Sequence, residues 1–141
     1  MSAVSVGVDE FQRLFEEKDK RGFFGILLHN PKYSCNIGCI MRSAAIFRAS
    51  FVATIGERYK RQRQDTTHTA QHLPVWNFNS LKHFMECMPV NCDLCAVEKV
   101  ETAKCISNFV HPPRCVYFFG SEDGSIPEAD YKVSRYKIKL P

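Results

Sequence analysis

The chain has no apolar run approaching the ~20 residues that a membrane-spanning helix requires. Its start, Met1–Asp9, carries neither a basic head nor an apolar stretch. No secretory signal is therefore expected, and a soluble, intracellular, cytoplasmic protein is the default expectation. Neither G-x-G-x-x-G nor G-x-x-x-x-G-K-[ST] occurs, which disfavours a flavodoxin-like or other nucleotide-binding α/β domain. Internal repeats and low-complexity segments are also missing. Of the cysteines Cys35, Cys39, Cys87, Cys92, Cys95, Cys105 and Cys115, only Cys92 and Cys95 form a Cys-x-x-Cys pair, the spacing of zinc ligands. They flank the start of an apolar run, Leu94–Val97, that reads as a strand, and positions three apart on a strand face opposite ways. No metal site is expected. An odd cysteine count without a signal argues against a disulfide framework, so most of these thiols are expected to be small buried apolar groups.

What is present is enough for one globular domain. The chain has 141 residues, long enough to bury a core but too short for two domains. A hydrophobic share of 45% and a charged share of 24% are ordinary for a soluble globular protein. The formal net charge of +4 is modest and does not by itself indicate nucleic acid, but its distribution says more. Arg58, Lys60, Arg61 and Arg63 surround Tyr59 in a segment without apolar periodicity. Such a run reads as a phosphate-contacting loop or, equally, as a solvated one. His68 and His72 lie just downstream and are assigned no role.

Apolar runs alternate with amphipathic segments. Val8–Lys20, with Phe11, Leu14 and Phe15 on one face, reads as a leading helix within an N-terminal extension, residues 1–22. Phe23–Leu28 has the length of a buried strand, and Asn36–Phe47 places Ile37, Ile40, Met41, Ala44 and Phe47 at helical spacing. Phe51–Ile55, Val75–Phe78, Leu94–Val97, Cys115–Phe119 and Tyr136–Leu140 are expected as further strands, with a short helix at Leu81–Met88 stopped by Pro89. Short strands that are apolar on both faces, alternating with helices, predict an α/β domain over residues 23–141, a parallel sheet with helices on both faces. Sheets of this kind bind ligands beyond the carboxyl ends of their strands. Ligand residues should therefore follow Leu28, Ile55, Val97, Phe119 and Leu140.

Two segments at those ends carry chemistry. In the first, His29–Ala44, a polar loop enters a helix at Asn36, whose side chain can cap the exposed amides. Gly38 leaves an opening in the first helical turn, and Arg42 projects beside it, one turn on and out of phase with the apolar stripe. Read singly, Asn36 is a plain N-cap and Arg42 a solvated helix arginine; read together they describe an anion-holding corner. In the second, Phe119–Pro127, a buried strand delivers a turn with Gly120, Ser121, Glu122, Asp123 and Gly124, then a proline at a helix start. Free backbone groups and the Glu122 carboxylate suit a ligand there, although an ordinary strand–turn–helix connection has the same local pattern.

Asn36-Ile37-Gly38 followed by Arg42-Ser43-Ala44 and Phe47 resembles the first motif of the SpoU/TrmH-type RNA methyltransferases of the SPOUT superfamily. Phe119-Gly120-Ser121-Glu122, ending in Ile126-Pro127, is similar to their second motif, and Ile138-Lys139-Leu140-Pro141 to the strand that opens their third. Three motifs in order on a βα framework make the likeness specific. The resemblance implies a trefoil-knot-type α/β fold, a homodimer in the full-length form, and methyl transfer from S-adenosylmethionine to a ribose 2′-hydroxyl of tRNA or rRNA, with no metal and no membrane. It implies that Asn36, Arg42 and Glu122 occupy the catalytic and RNA-facing positions. Val97, Glu98, Phe119, Gly120, Ile138 and Leu140 would then cradle the cofactor. Arg58, Lys60, Arg61 and Arg63 are candidates for holding RNA. A guanidinium is a poor free base, so Arg42 is expected to grip a neighbouring phosphate and stabilise developing alkoxide charge. The alternative function is a catalytically inactive RNA-binding or scaffold relative of the same fold.

Three departures from the family pattern stand out. Arg48 follows Phe47 where the family usually has glycine, at what is often a left-handed position. Gly124 precedes Ser125 rather than following it. The chain ends at Pro141, before the rest of the third motif and the final helix, so the domain is expected to be incomplete at its C-terminus. The expected consequences are a cofactor pocket lacking a wall, an exposed apolar patch and doubt over turnover by this chain as it stands.

Overall fold

The computed structural model describes residues 23–58 and 73–141. The leading helix expected at residues 8–20, and Lys60, Arg61 and Arg63, lie outside the described residues.

The six expected strands and one further short strand form a seven-stranded sheet that is parallel throughout. Its strands are β1 (Phe23–His29), β2 (Val52–Ile55), β3 (Val75–Phe78), β4 (Asp93–Val97), β5 (Lys104–Cys105), β6 (Arg114–Phe119) and β7 (Tyr136–Lys139), in the order β3-β2-β1-β6-β4-β7-β5. The chain starts in the middle at β1 and steps outward through β2 and β3. It then crosses to lay down β4 and β5, and finally inserts β6 between β1 and β4, and β7 between β4 and β5. The direction of winding thus changes at β1, and the carboxyl ends of β1 and β6 adjoin there, with Leu28 opposite Phe119. A crevice at such a switch point is where sheets of this kind bind ligands.

Helices cover both faces, as the doubly apolar strands predict. On one face lies α1 (Ser34–Ile46), whose Ile37, Met41 and Ala44 pack against Leu28, Val52 and Leu73. On the other, Leu81 and Phe84 of α2 (Leu81–Cys87) and Tyr131 of α3 (Glu128–Val133) cover Leu27, Ala53, Ile55, Leu94, Ala96, Val116 and Phe118. Burying a side chain such as Phe118, wholly inaccessible here, contributes about 1.5–3 kcal/mol. Gly25 of β1 sits beneath the Phe51 ring, which itself touches Phe23 and Phe84. A Cβ on Gly25 would come 2.3 Å from that ring.

Arg48 has φ 60, the left-handed conformation expected there. Its amide donates to Ala45 O at 3.2 Å and that of Ala49 to Ala44 O at 2.8 Å, the paired bonds with which a helix end satisfies its last carbonyls. Beside this end an open apolar groove of about 290 Å³ runs between Phe24, Ile26, Leu28 and Phe119 on the sheet and Ile40 and Ala44 of α1, with Phe47 just beyond the helix. Phe47 is 74% exposed. No helix among the described residues is long and apolar enough to cross a membrane.

Three expectations need correction. Helix α1 begins at Ser34, and its N-cap residue, Tyr33, makes no side-chain cap; Asn36 is already inside the first turn and is not the N-cap. Strand β5 and a 3₁₀ turn at Ile106–Asn108 had no apolar signal. Of the seven cysteines only Cys95 and Cys115 are buried, while Cys35, Cys39 and Cys87 are exposed. Cys35 and Cys39 belong to α1 but fall outside its buried stripe of Ile37, Met41 and Ala44.

Candidate active site

The loop leaving β1 turns at Asn30, which adopts φ 45 and donates its amide to Ile55 O at the end of β2. Its side chain lies on Gly56, where a Cβ would stand 2.5 Å from Asn30 Oδ1 and where φ is 108; both conditions favour glycine. The amides of Lys32 and Tyr33 then precede α1 and need acceptors from elsewhere.

That acceptor is Glu122. Strand β6 ends in Phe119, and the next residues fold tightly. A Cβ on Gly120 would be 2.9 Å from the Ile126 nitrogen and 3.1 Å from the Ser125 carbonyl carbon. The turn carries the Glu122 carboxylate to the start of α1. It accepts from Lys32 N at 2.9 Å, Tyr33 N at 3.4 Å and Asn36 Nδ2 at 3.3 Å. An anion there is also favoured by the helix dipole. Desolvation pushes the carboxyl upward, but the hydrogen bonds from Lys32, its own amide, Asn36 and Tyr33 outweigh it, and the net shift is below the ordinary value. This long-range contact explains why Asn36 need not cap the helix.

Asn36 and Glu122, two of the three expected catalytic residues, are therefore in direct contact. Arg42 stands further along α1, exposed, with Nε 3.4 Å from Gly38 O and Nη2 3.8 Å from Cys39 Sγ. A Cβ on Gly38 would meet nothing within 4 Å among the described residues, so none of these fills the opening expected there. Arg58 is engaged within the fold: its guanidinium pairs with both oxygens of Asp123 at 2.9 and 3.0 Å and donates to Asn30 O. The sequence shows Asp123 in the turn but not its pairing with Arg58, which is 65 residues away and marked by no local pattern.

A cleft of about 360 Å³ opens beside this corner, over the ends of β4, β6 and β7. Of the six residues expected to cradle a cofactor, Val97, Glu98, Phe119, Gly120 and Leu140 line it, joined by Lys99, Ser121, Gly124 and Pro141. Ile138 does not line it; it is buried, and its carbonyl accepts the Glu98 amide at 3.0 Å. The Glu98 carboxylate accepts from Ile126 N at 2.8 Å, which pins the loop that folds over Gly120. The volume is that of a small-molecule site. Its lining combines apolar Val97, Phe119 and Leu140 with backbone groups of three loops, which suits an aromatic base attached to polar groups.

A parallel α/β domain with a cleft over the ends of β4, β6 and β7, and a polar corner where β1 and β6 adjoin, belongs to the class whose ligand sites lie beyond the carboxyl ends of the strands. The class resolves further: residues 24–141 match the SpoU rRNA Methylase family, and the chain belongs to it. Similar solved structures include one giving structural insights into the 2-OH methylation of C/U34 on tRNA, with TM-score 0.73 and 17% identity, covering 86% of this chain and 81% of that one. Another is the SpoU methyltransferase AviRb from Streptomyces viridochromogenes in complex with the cofactor AdoMet (TM-score 0.75, 20% identity, 87% of this chain and 51% of that one). A third is the A. aeolicus TrmH/SpoU tRNA modifying enzyme (TM-score 0.72, 13% identity, 93% and 71%). The chain thus spans about half of AviRb, and at these identities the likeness is one of fold. The sequence matches no curated protein.

Proposed function

We propose that this domain methylates RNA, taking the methyl group from S-adenosylmethionine and placing it on a ribose 2′-hydroxyl. Membership of the family supports RNA methylation. The bound AdoMet of AviRb and the 2-OH methylation on tRNA described for a similar fold support the donor and the acceptor. The observation that carries the reading is a single loop with two duties. Gly120 and Ser121 line the cleft, while Glu122, the next residue, holds Asn36 and the start of α1.

S-adenosylmethionine, when bound, would supply a methyl group on a sulfonium that leaves as a neutral thioether, while the proton of the 2′-hydroxyl passes to solvent water. The remaining work is positioning, which is where such a transfer gains most. Val97, Phe119 and Leu140 would hold the donor, with the backbone at Gly120. Glu122 keeps Asn36 and the Lys32–Tyr33 amides in register with the cleft. Arg42, exposed one turn beyond Gly38, would grip a phosphate of the substrate and offset the charge that develops on the 2′-oxygen. Lys60, Arg61 and Arg63, close together in the sequence, would add contacts to RNA phosphates, and the protein would act as a homodimer. Calorimetry with S-adenosylmethionine tests the donor: saturable binding by the wild type is expected, with at least about tenfold weaker binding by Gly120→Val, whose side chain meets loop backbone. Absence of binding by the folded wild type would overturn the cofactor assignment.

A further inference from the structure

We propose that Arg58 is a positioning residue for Glu122, acting through Asp123 and Asn30 rather than through contact with a substrate. Its service to methyl transfer rests on the function proposed above; the clamp itself does not. The guanidinium is used along two edges. Nη1 and Nη2 donate to Asp123 Oδ2 and Oδ1 at 2.9 and 3.0 Å, while Nε and Nη2 donate to Asn30 O at 3.1 and 2.6 Å. Asp123 adjoins Glu122 on the loop after β6, and Asn30 lies two residues before Lys32 on the loop after β1. One rigid, planar group therefore fixes the separation between the Lys32 amide and the carboxylate it donates to.

The surrounding backbone is shaped for this reach. Gly56 at φ 108 and Asn30 at φ 45 let the end of β2 close against the β1 loop, which brings Arg58 under it. Lys32 Nζ adds a second cation 3.7 Å from Asp123 Oδ2. The hydrogen bond from Arg58 is the chief reason that the Asp123 carboxyl titrates well below the usual carboxylate range, so the clamp stays charged throughout the neutral range. An exposed ion pair contributes little to global stability; this one matters for where it holds two loops. A phosphate could take the Arg58 fork only by displacing Asp123.

The test reads the amide hydrogen exchange of Lys32 and Tyr33 by NMR in the wild type, Arg58→Ala, Arg58→Lys, Asp123→Ala and the Arg58→Ala/Asp123→Ala double variant. Exchange should speed up about fivefold or more in Arg58→Ala, as expected for loss of one net hydrogen bond. Asp123→Ala and the double variant should do the same without adding, and Arg58→Lys, which lacks the fork, should fall between. Protection of Val116 and Phe118 in the core should not change, which separates loosening of the clamp from unfolding. In methyl-transfer assays the same variants should lose kcat more than they raise KM, with the salt dependence of RNA binding unchanged. Unaltered exchange at Lys32 and Tyr33 overturns the proposal, as does a salt slope lowered by about one in Arg58→Ala. If the wild type transfers no methyl group while exchange responds as described, the methyl-transfer reading falls and the clamp stands.

Discussion

Replacing Glu122 with Gln removes one charge and almost no volume, which makes it a clean probe of the contact between the two loops. The carboxylate accepts three hydrogen bonds from the β1–α1 loop and α1. A glutamine keeps one acceptor oxygen and presents an NH₂ to the other donors, so at least one of these bonds is lost. Bonds to a charged group contribute about 1.5–3 kcal/mol against about 0.5–1.5 for neutral ones. Because Glu122 is exposed, water recovers much of this difference, and the net cost should be about 1–2 kcal/mol. For a domain of this size that lowers Tm by about 3–8 °C at pH 7, measurable by circular dichroism.

The pH dependence supplies the sign. The folded pKa of Glu122 lies below its ordinary value of 4.5, so the stabilisation is fully present above pH 4.5 and disappears as pH falls through the lower folded value. The gap between wild type and Glu122→Gln should therefore be constant near neutrality and close at the acid end. A variant that melts within about 1 °C of the wild type at pH 7 would show that the Glu122 carboxylate does not hold the two loops together, as would a gap that survives full protonation.

Gly25→Ala puts a Cβ 2.3 Å from the Phe51 ring, which Phe23 and Phe84 hold in place; overpacking of this kind costs about 1–3 kcal/mol, read as a loss of about 4–12 °C in Tm. Arg42→Lys keeps the charge and loses the fork. It should reduce kcat by about tenfold or more without unfolding the protein, and near-normal turnover would exclude a forked grip. Neutralising Lys60, Arg61 and Arg63 together should weaken RNA binding and flatten its salt dependence, as filter binding across a salt series would show; an unchanged slope removes this run from the RNA surface.

The fold was legible because burial writes itself locally. Strands flanked by helices on both faces are largely continuous apolar runs, and the runs at Phe23, Phe51, Val75, Leu94 and Cys115, with the alternating segment at Tyr136, all became strands within a residue or two of their expected bounds. Strand β5 had no such mark, since its two residues, Lys104 and Cys105, pair only with β7 at the sheet's edge. The cleft was legible for the same reason, because strand ends follow directly from strands. The polar corner was legible in its members and less so in its wiring. Asn36 looked like a local cap because capping is read from neighbours, whereas the actual acceptor, Glu122, lies 86 residues further on. The Arg58–Asp123 pair is invisible in sequence for the same reason, and a basic run naturally suggests an external anion before an internal one.

We propose methyl transfer to a ribose oxygen beside the Asn36–Glu122 contact, with Arg42 further along α1. The most direct measurement incubates the protein with S-adenosylmethionine carrying a labelled methyl group and unmodified tRNA and rRNA, digests the RNA to nucleosides and locates the label by mass spectrometry. Label is expected on a 2′-O-methylnucleoside with the wild type, and should be lost with Arg42→Ala and with Glu122→Ala while both variants remain folded. Label on a base, or no label transferred by a folded wild type that binds S-adenosylmethionine, would contradict the proposal.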